Sequence, residues 1–179
     1  MGLAFDGDLT LYASEGESGR IRRVDLRSGK GAAFVDLNQG GVRDSYTGDM
    51  AFDPARRLLY VVDQANFRLA IVDARRRAIA SSIRTGRLPF AVTLSPDRKT
   101  AYVTNLGMFE YRAIPGADPK KPETGLSLPA FGFPSAEAAA GVSRQTDSGP
   151  VDVPGLGEPN AKGSNSLAIL DVSKPAAPR

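Results

Sequence analysis

The side chains that most often carry out chemistry in proteins are missing from this chain of 179 residues. It contains no His and no Cys. That absence removes the commonest general base, the commonest zinc ligand and every thiolate nucleophile, and it also excludes disulfide bonds. The remaining candidates are carboxylates and arginines, whose spacing decides what they could do.

Two aspartates near the start have the spacing of metal ligands. Asp6 and Asp8 resemble the beginning of a calcium loop, which needs further oxygen ligands at alternate positions. The next residues, Leu9 to Tyr12, have the pattern of a β-strand and supply none. We therefore predict a turn at this point and no metal site.

Three further aspartates share one local context. Asp25, Asp73 and Asp171 each follow an apolar residue at the end of a strand-like run. A short carboxylate at such a position readily accepts hydrogen bonds from backbone amides two or three residues later. Their recurrence predicts a structural role in repeated turns rather than catalysis.

Arginines form the densest charge runs. They fall into two groups, Arg75, Arg76 and Arg77 in one and Arg20, Arg22 and Arg23 in the other. Both groups could contact nucleic-acid phosphates, but no aromatic residues are interleaved with them as stacking platforms. The net charge of the chain is only +3. We interpret the groups as a solvated turn and an exposed strand face, with nucleic-acid binding as the weaker alternative.

An internal repeat indicates which elements position these side chains. Three segments superpose as a strand, a tight polar turn and a second strand that ends in Tyr, at 4–12, 51–60 and 93–102. The Tyr residues lie 48 and 42 positions apart, from 12 to 60 and from 60 to 102. This period is close to the ~40 to 50 residues of a propeller blade. The repeat predicts an all-β fold, a partial β-propeller of four-stranded antiparallel blades.

The second repeat predicts a complete blade. Its strands a, b, c and d are expected at 49–53, 58–63, 68–73 and 78–85. Short β-favouring runs alternate there with turn residues, and Pro54 presets the backbone of the first tight turn. Such a sheet cannot bury both faces alone, so the blades must stack on one another.

The third repeat carries a family resemblance. Its residues Tyr102-Val103-Thr104-Asn105 are the tetrapeptide that names the YVTN, or YncE-like, β-propellers. The wider pattern follows in order as Gly86-Arg87-Leu88-Pro89, Ser95-Pro96-Asp97 and Ile169-Leu170-Asp171. Residues 1–106 and 164–179 resemble this family, whose propellers usually have seven blades.

A long insertion splits the third repeat. Tyr102 and Asp171 lie 69 positions apart, whereas the same landmarks lie 13 apart in the first two repeats, so 56 residues are inserted between strands b and c. The stretch 107–163 resembles the insertion of bacterial proteins that join such a propeller to an alkaline-phosphatase-like phosphoesterase domain. In those relatives the metal site belongs to the second domain, so the resemblance gives this chain no phosphatase activity and no cofactor. Within the stretch, Ser135 and Gly141 predict the ends of a one- or two-turn helix.

Binding is expected at one face of the propeller. The ab and cd loops of a blade lie on one face, and the bc loops lie with the connections between blades on the other, which we name the bc/da face. The insertion is a bc loop and shares this face with the connections 38–48 and 86–90. The candidate binding residues are Asn105, Met108, Phe109, Glu110, Tyr111, Phe131, Phe133 and Asn165. The aromatic side chains of the insertion either pack it onto the propeller or contact a partner or substrate.

The repeats divide the chain into blades at 1–38, at 49–86 and at 90–106 with 164–179, plus the insertion 107–163. Eleven strands do not close a ring, because propellers have at least ~4 blades. We expect the chain to be a fragment whose missing blades, or other copies, complete the ring. The resemblance adds a phosphoesterase domain as a further candidate partner. No membrane insertion is expected, since no apolar run approaches ~20 residues.

The sequence therefore predicts a non-catalytic recognition or scaffold module from a larger bacterial protein. Export to the periplasm or the cell exterior is implied by the resemblance and agrees with the absence of Cys. In one alternative, the insertion contributes to the substrate pocket of an attached phosphoesterase. In another, a YncE-like propeller binds nucleic acid.

Overall fold

The computed structural model describes residues 1–107, 136–146, 149–155, 163 and 165–179. The chain divides into two compact units, one formed by 1–107 with 165–179 and the other by 108–164. No helix in the described part of the chain is long and apolar enough to cross a membrane.

The first unit begins with two four-stranded antiparallel sheets. The first sheet consists of β1 (Leu3–Asp6), β2 (Thr10–Ser14), β3 (Arg20–Asp25) and β4 (Gly31–Asp36). The second consists of β5 (Thr47–Asp53), β6 (Leu58–Asp63), β7 (Arg68–Asp73) and β8 (Ala78–Arg84). In both sheets the strands are ordered as in the sequence, so each is a simple meander.

The third sheet is interrupted by the second unit. It begins with β9 (Pro89–Leu94) and β10 (Thr100–Asn105). The second unit then contains the helix α1 (Ala136–Ala140) and a hairpin of β11 (Gly141–Thr146) and β12 (Gly149–Pro154). The chain returns as β13 (Ser166–Asp171), which pairs antiparallel with β10 from Asn105↔Ser166 to Thr100↔Asp171.

The second sheet lies between the other two and is buried on both faces. Strand β6 is buried at every position and β7 at all but its last, which explains why both are almost continuously apolar rather than alternating. Leu59 and Val61 pack towards the first sheet, whereas Tyr60 and Val62 pack towards the third. Full burial of one such aliphatic side chain contributes about 1.5–3 kcal/mol.

The first strands of the three sheets approach one another most closely. Gly2 shows how tight the packing is, because a Cβ atom there would lie 2.5 Å from the Cα of Asp49. The amide of Gly2 also donates to the Oγ of Ser14 at 2.7 Å. Contacts between neighbouring sheets are concentrated at β1, β5 and β9, so the sheets spread apart towards their outer strands.

The predicted fold class is confirmed: three antiparallel sheets, of which the third has three strands, and a long insertion between β10 and β13. In the second sheet, the strands expected at 58–63 and 68–73 are observed with the same bounds. Strand β5 begins at Thr47 rather than at 49, since a bulge between Thr47 and Met50 extends its pairing. The short helix is also confirmed at Ala136–Ala140, whereas the hairpin after it was not predicted.

Candidate functional site

The base of the insertion lies at the end of β10 and the start of β13. Asn105 is opposite Ser166 in the β10–β13 pairing, and the amide of Asn165 donates to the carbonyl of Leu106 at 2.9 Å. Asn165 has a φ of 46°, in the left-handed region that asparagine tolerates better than most residues. The structure therefore places the predicted site residues Asn105 and Asn165 on the two sides of the base of the insertion, where the chain leaves and rejoins the third sheet.

Asn105 is a buried polar side chain at this base, with 3% of its surface exposed. Its Nδ2 donates to the carbonyl of Val103 at 3.2 Å and to the Oγ of Ser166 at 3.3 Å. Its Oδ1 is buried and accepts no hydrogen bond within the described part of the chain. An amide oxygen of this kind has the capacity to accept a hydrogen bond from a donor.

The connection between the second and third sheets supports the same base. Leu106 donates its amide to the carbonyl of Leu88 at 3.1 Å, and Gly107 donates to the carbonyl of Arg87 at 2.9 Å. The guanidinium of Arg87 lies 5.4 Å from the ring centre of Phe67, which belongs to the bc turn of the second sheet. The loops of two neighbouring sheets are thus joined on the bc/da face.

A buried ion pair organises the other half of this face. Arg68 donates from Nε to the Oδ2 of Asp63 at 2.8 Å and from a terminal nitrogen to the carbonyl of Leu37 at 3.0 Å. Ser45 and Asn66 also donate to Asp63. The carboxylate of Asp63 is fully buried, so its removal from water is costly. The ion pair and the hydrogen bonds from these donors offset that desolvation cost. The network fixes the 37–46 connection against the second sheet.

A cavity of about 350 Å³ adjoins this network at the outer rim. Its lining includes Gln39, Gly40 and Val42 of the connection, Arg68, and the β8 residues Ile79 and Ser82. The volume is at the lower end of the range for small-molecule sites. Neither the ion pair nor the cavity was predicted. The position of Asp63 and Arg68 at the two ends of one bc turn could have indicated the pair. The contact of Arg68 with Leu37 has no such signal, because it depends on the stacking of two sheets.

Six of the eight predicted site residues lie outside the described part of the chain. They are Met108, Phe109, Glu110, Tyr111, Phe131 and Phe133. Their role in binding stays a prediction.

The three recurrent aspartates have the structural role that their spacing predicts. Each carboxylate accepts a backbone hydrogen bond at 2.8 Å: Asp25 from Ser28, Asp73 from Arg75 and Asp171 from Ser173. Hydrogen bonds to the charged form lower the pKa of each carboxyl. The chief donor is the amide of Ser28 for Asp25, the amide of Arg76 for Asp73 and the side chain of Ser173 for Asp171.

Asp6 ends β1 and takes part in a contact between sheets. Its carboxylate accepts both terminal nitrogens of Arg57 from the second sheet, one of them at 2.6 Å, and the hydroxyl of Tyr12 at 3.2 Å. Gly7 follows in a turn with a φ of 65°. The predicted turn is confirmed, and no cluster of metal-ligating side chains occurs among the residues that were searched, which are the described ones.

The arginine groups are exposed but not equivalent. Arg20 and Arg22 pair with Asp36 and Glu15 of their own sheet, at 3.3 and 2.5 Å. Arg75, Arg76 and Arg77 form the exposed cd turn of the second sheet. Arg77 lies at a second cavity, together with Arg23. These two arginines are 54 positions apart in the sequence, so their spacing does not predict that they line one cavity.

The sheet architecture defines the class of this protein as a β-propeller, of which the first unit forms three blades. No protein-family model matches the chain, and no curated protein sequence is similar to it. Hydrazine synthase from Kuenenia stuttgartiensis is similar over 62% of this chain, with 28% sequence identity and a TM-score of 0.53. A luciferin-regenerating enzyme is similar over 57%, with 16% identity and a TM-score of 0.50. The chain spans only 30% and 36% of these two structures, so the likeness shows the fold alone.

Proposed function

We propose that this chain is a non-catalytic recognition and scaffold module that binds its partner through the bc/da face. The anchored base of the insertion is the observation that carries the proposal. Leu106 and Gly107 donate to the 85–88 connection, and Asn165 donates to Leu106, so the insertion leaves the propeller from a rigid platform. Long loops on rigid scaffolds are where binding residues concentrate.

Further blades complete the module, supplied either by a longer polypeptide or by other copies of the chain. Support comes from the outer face of the third sheet, where Leu167 and Ile169 are 54% and 65% exposed. Their counterparts in the second sheet, Leu69 and Ile71, are fully buried against a neighbouring sheet. We assign the blades as 1–38, 49–86 and 90–106 with 164–179.

The module belongs, in this proposal, to the YVTN or YncE-like propellers of bacteria. The tetrapeptide 102–105 supports this assignment because it forms most of β10. Val103 packs against the second sheet, Tyr102 lies on the opposite face, and Asn105 is buried where the strand ends. An exported parent protein, in the periplasm or outside the cell, follows from the same resemblance and agrees with the lack of Cys.

The resemblance of the insertion favours one further arrangement. In it, the bc/da face borders the substrate pocket of a phosphoesterase domain in the same polypeptide, and the insertion contributes residues to that pocket. The chain itself has no His to hold a catalytic metal.

Photo-crosslinking from matched positions on the two faces tests the proposal. A benzophenone amino acid replaces Leu106 on the bc/da face or Leu26 on the opposite face, and these leucines are 46% and 41% exposed. In the cells that produce the protein, we expect one discrete crosslinked product from position 106 and none from position 26. Equal crosslinking from both positions, or none from position 106, would contradict the proposed face. Crosslinks from 106 into a phosphoesterase domain of the same polypeptide would identify the alternative arrangement.

A further inference from the structure

A second cavity lies away from the bc/da face, between the outer strands of the first sheet and the cd turn of the second. Its volume is about 340 Å³. It is lined by the cations Arg23, Lys30 and Arg77, the carboxylate of Asp25, and the side chains of Ala33 and Phe34. Nothing in the proposed recognition role uses this cavity.

The three cations of this cavity are not neutralised by ion pairs. Within the described part of the chain, none of them lies within 4 Å of a carboxylate oxygen. The guanidinium of Arg23 donates to a neutral partner, the Oγ of Thr10, at 3.1 Å. Other arginines nearby are paired, for example Arg76 with Asp73 at 3.8 Å. The cavity therefore concentrates positive charge that is available to a ligand.

The charge of the lining matches a dianion. Three cations and the single carboxylate of Asp25 leave a net charge of +2. The Oδ1 of Asp25 is already occupied, because it accepts the amide and the hydroxyl of Ser28 at 2.8 and 3.0 Å. A phosphate monoester carries about −1.5 to −2 charges at neutral pH, and guanidinium groups bind phosphoryl oxygens in pairs.

The floor of the cavity is apolar and continuous with the core. Phe34 is 8% exposed, and its ring centre lies 4.9 Å from that of Tyr12 in the core between the first two sheets. Ala32 and Ala33 continue the floor along β4. An inorganic anion would leave this surface unused, whereas the organic part of an ester would cover it.

Arg77 occupies a backbone position that suits glycine better. Its φ is 55°, and the corresponding residue in the cd turn of the first sheet is Gly29, with a φ of 69°. Side chains with a Cβ atom are strained in this region. The arginine side chain is therefore present at a cost to the backbone, and its removal in favour of glycine relieves strain instead of adding it.

From these observations we propose that the cavity binds a small phosphate monoester. Arg23, Lys30 and Arg77 hold the phosphoryl group, and the apolar part of the ester lies on Ala33 and Phe34. This site is independent of the bc/da face and of any partner bound there.

This site is tested by titrating the complete chain with phenyl phosphate at low salt and monitoring the amide NMR shifts. We expect saturable shifts at Lys30, Gly31 and Arg77, and affinity about tenfold higher than for inorganic phosphate or for phenol. Inorganic phosphate binding as tightly as phenyl phosphate would overturn the proposal, because the apolar floor would then contribute nothing.

Two arginine variants in the same turn distinguish a specific phosphate site from nonspecific electrostatic attraction of anions. Arg77→Gly should weaken phenyl phosphate binding about tenfold, the loss of one charge-assisted contact, while leaving the fold at least as stable. Arg76→Ala removes the same charge from a residue that does not line the cavity, and should change the affinity less than about twofold. Equal losses in the two variants, or tighter binding of oligo-dT that depends equally on both arginines, would overturn the proposal in favour of a diffuse polyanion surface.

Discussion

At the scale of single residues, the Tyr that recurs once in each sheet lies in three different environments. Tyr12 faces the second sheet and is 1% exposed, and Tyr60 faces the third and is fully buried. Tyr102 holds the same position on the open face of the third sheet and is only half-buried. Burial raises the pKa of both Tyr12 and Tyr60, and in Tyr12 the neighbouring charge of Asp6 adds to the effect.

The hydroxyls of the two buried tyrosines predict opposite effects of the same substitution. The hydroxyl of Tyr12 donates to Asp6, whereas that of Tyr60 is buried with no partner among the described residues. Tyr12→Phe should lower the free energy of unfolding by about 0.5–1.5 kcal/mol, and Tyr60→Phe should leave it unchanged or raise it by about 1 kcal/mol. Urea unfolding of both variants measures this difference. Equal destabilisation would show that the Tyr60 hydroxyl has a partner after all.

At the scale of elements, the turns are predictable one by one, whereas the contacts between them are not. Proline, glycine and aspartate specify the turns locally, so Asp73 and its backbone bonds follow from the sequence. The pairing of Arg57 with Asp6 joins residues 51 positions apart and depends on how two sheets stack. The base at Asn105 and Asn165 follows from the repeat, but the cavity with Arg23 and Arg77 has no local signal. The hairpin β11–β12 was not predicted because Gly141–Thr146 is mostly polar, with only Val142 and Thr146 as β-favouring residues.

Acidification should weaken the cd turn of the second sheet. The pKa of Asp73 is lower in the folded protein than in the unfolded chain, where it is about 3.9. The charged carboxylate therefore contributes its full stabilisation above that pH, and the contribution is lost as the pH falls through the pKa of the folded state. At pH 7, Asp73→Ala should lower the free energy of unfolding by about 1 kcal/mol, and Asp73→Asn by less. Urea unfolding at neutral pH and well below the folded pKa measures the change, and the gap between the wild type and Asp73→Ala should narrow in acid. A gap that is independent of pH would contradict a role for the charged carboxylate.

At the scale of the whole molecule, the first unit has two open apolar faces. On one face, Leu3 and Phe5 of β1 are 59% and 64% exposed. On the other, Leu167 and Ile169 of β13 are exposed to a similar extent. The second sheet shows what such faces become when a neighbour stacks on them, since β6 and β7 are buried on both sides. Exposed clusters of large apolar side chains of this kind mark interaction surfaces. The sequence allowed this arrangement to be predicted because the repeat implies stacking, although it does not specify what covers the open faces.

Sedimentation of the chain with and without an intact outer face tests most directly the claim that these blades bind further blades. We expect concentration-dependent association of the 18.9 kDa chain, and a shift to monomer when Leu167 and Ile169 are both replaced by lysine. Leu9→Lys with Leu26→Lys, at leucines that are 47% and 41% exposed in turns rather than on the open sheet faces, should leave association unchanged. A wild-type chain that is monomeric at every concentration, or equal loss of association in both double variants, would show that no further blade stacks on this face.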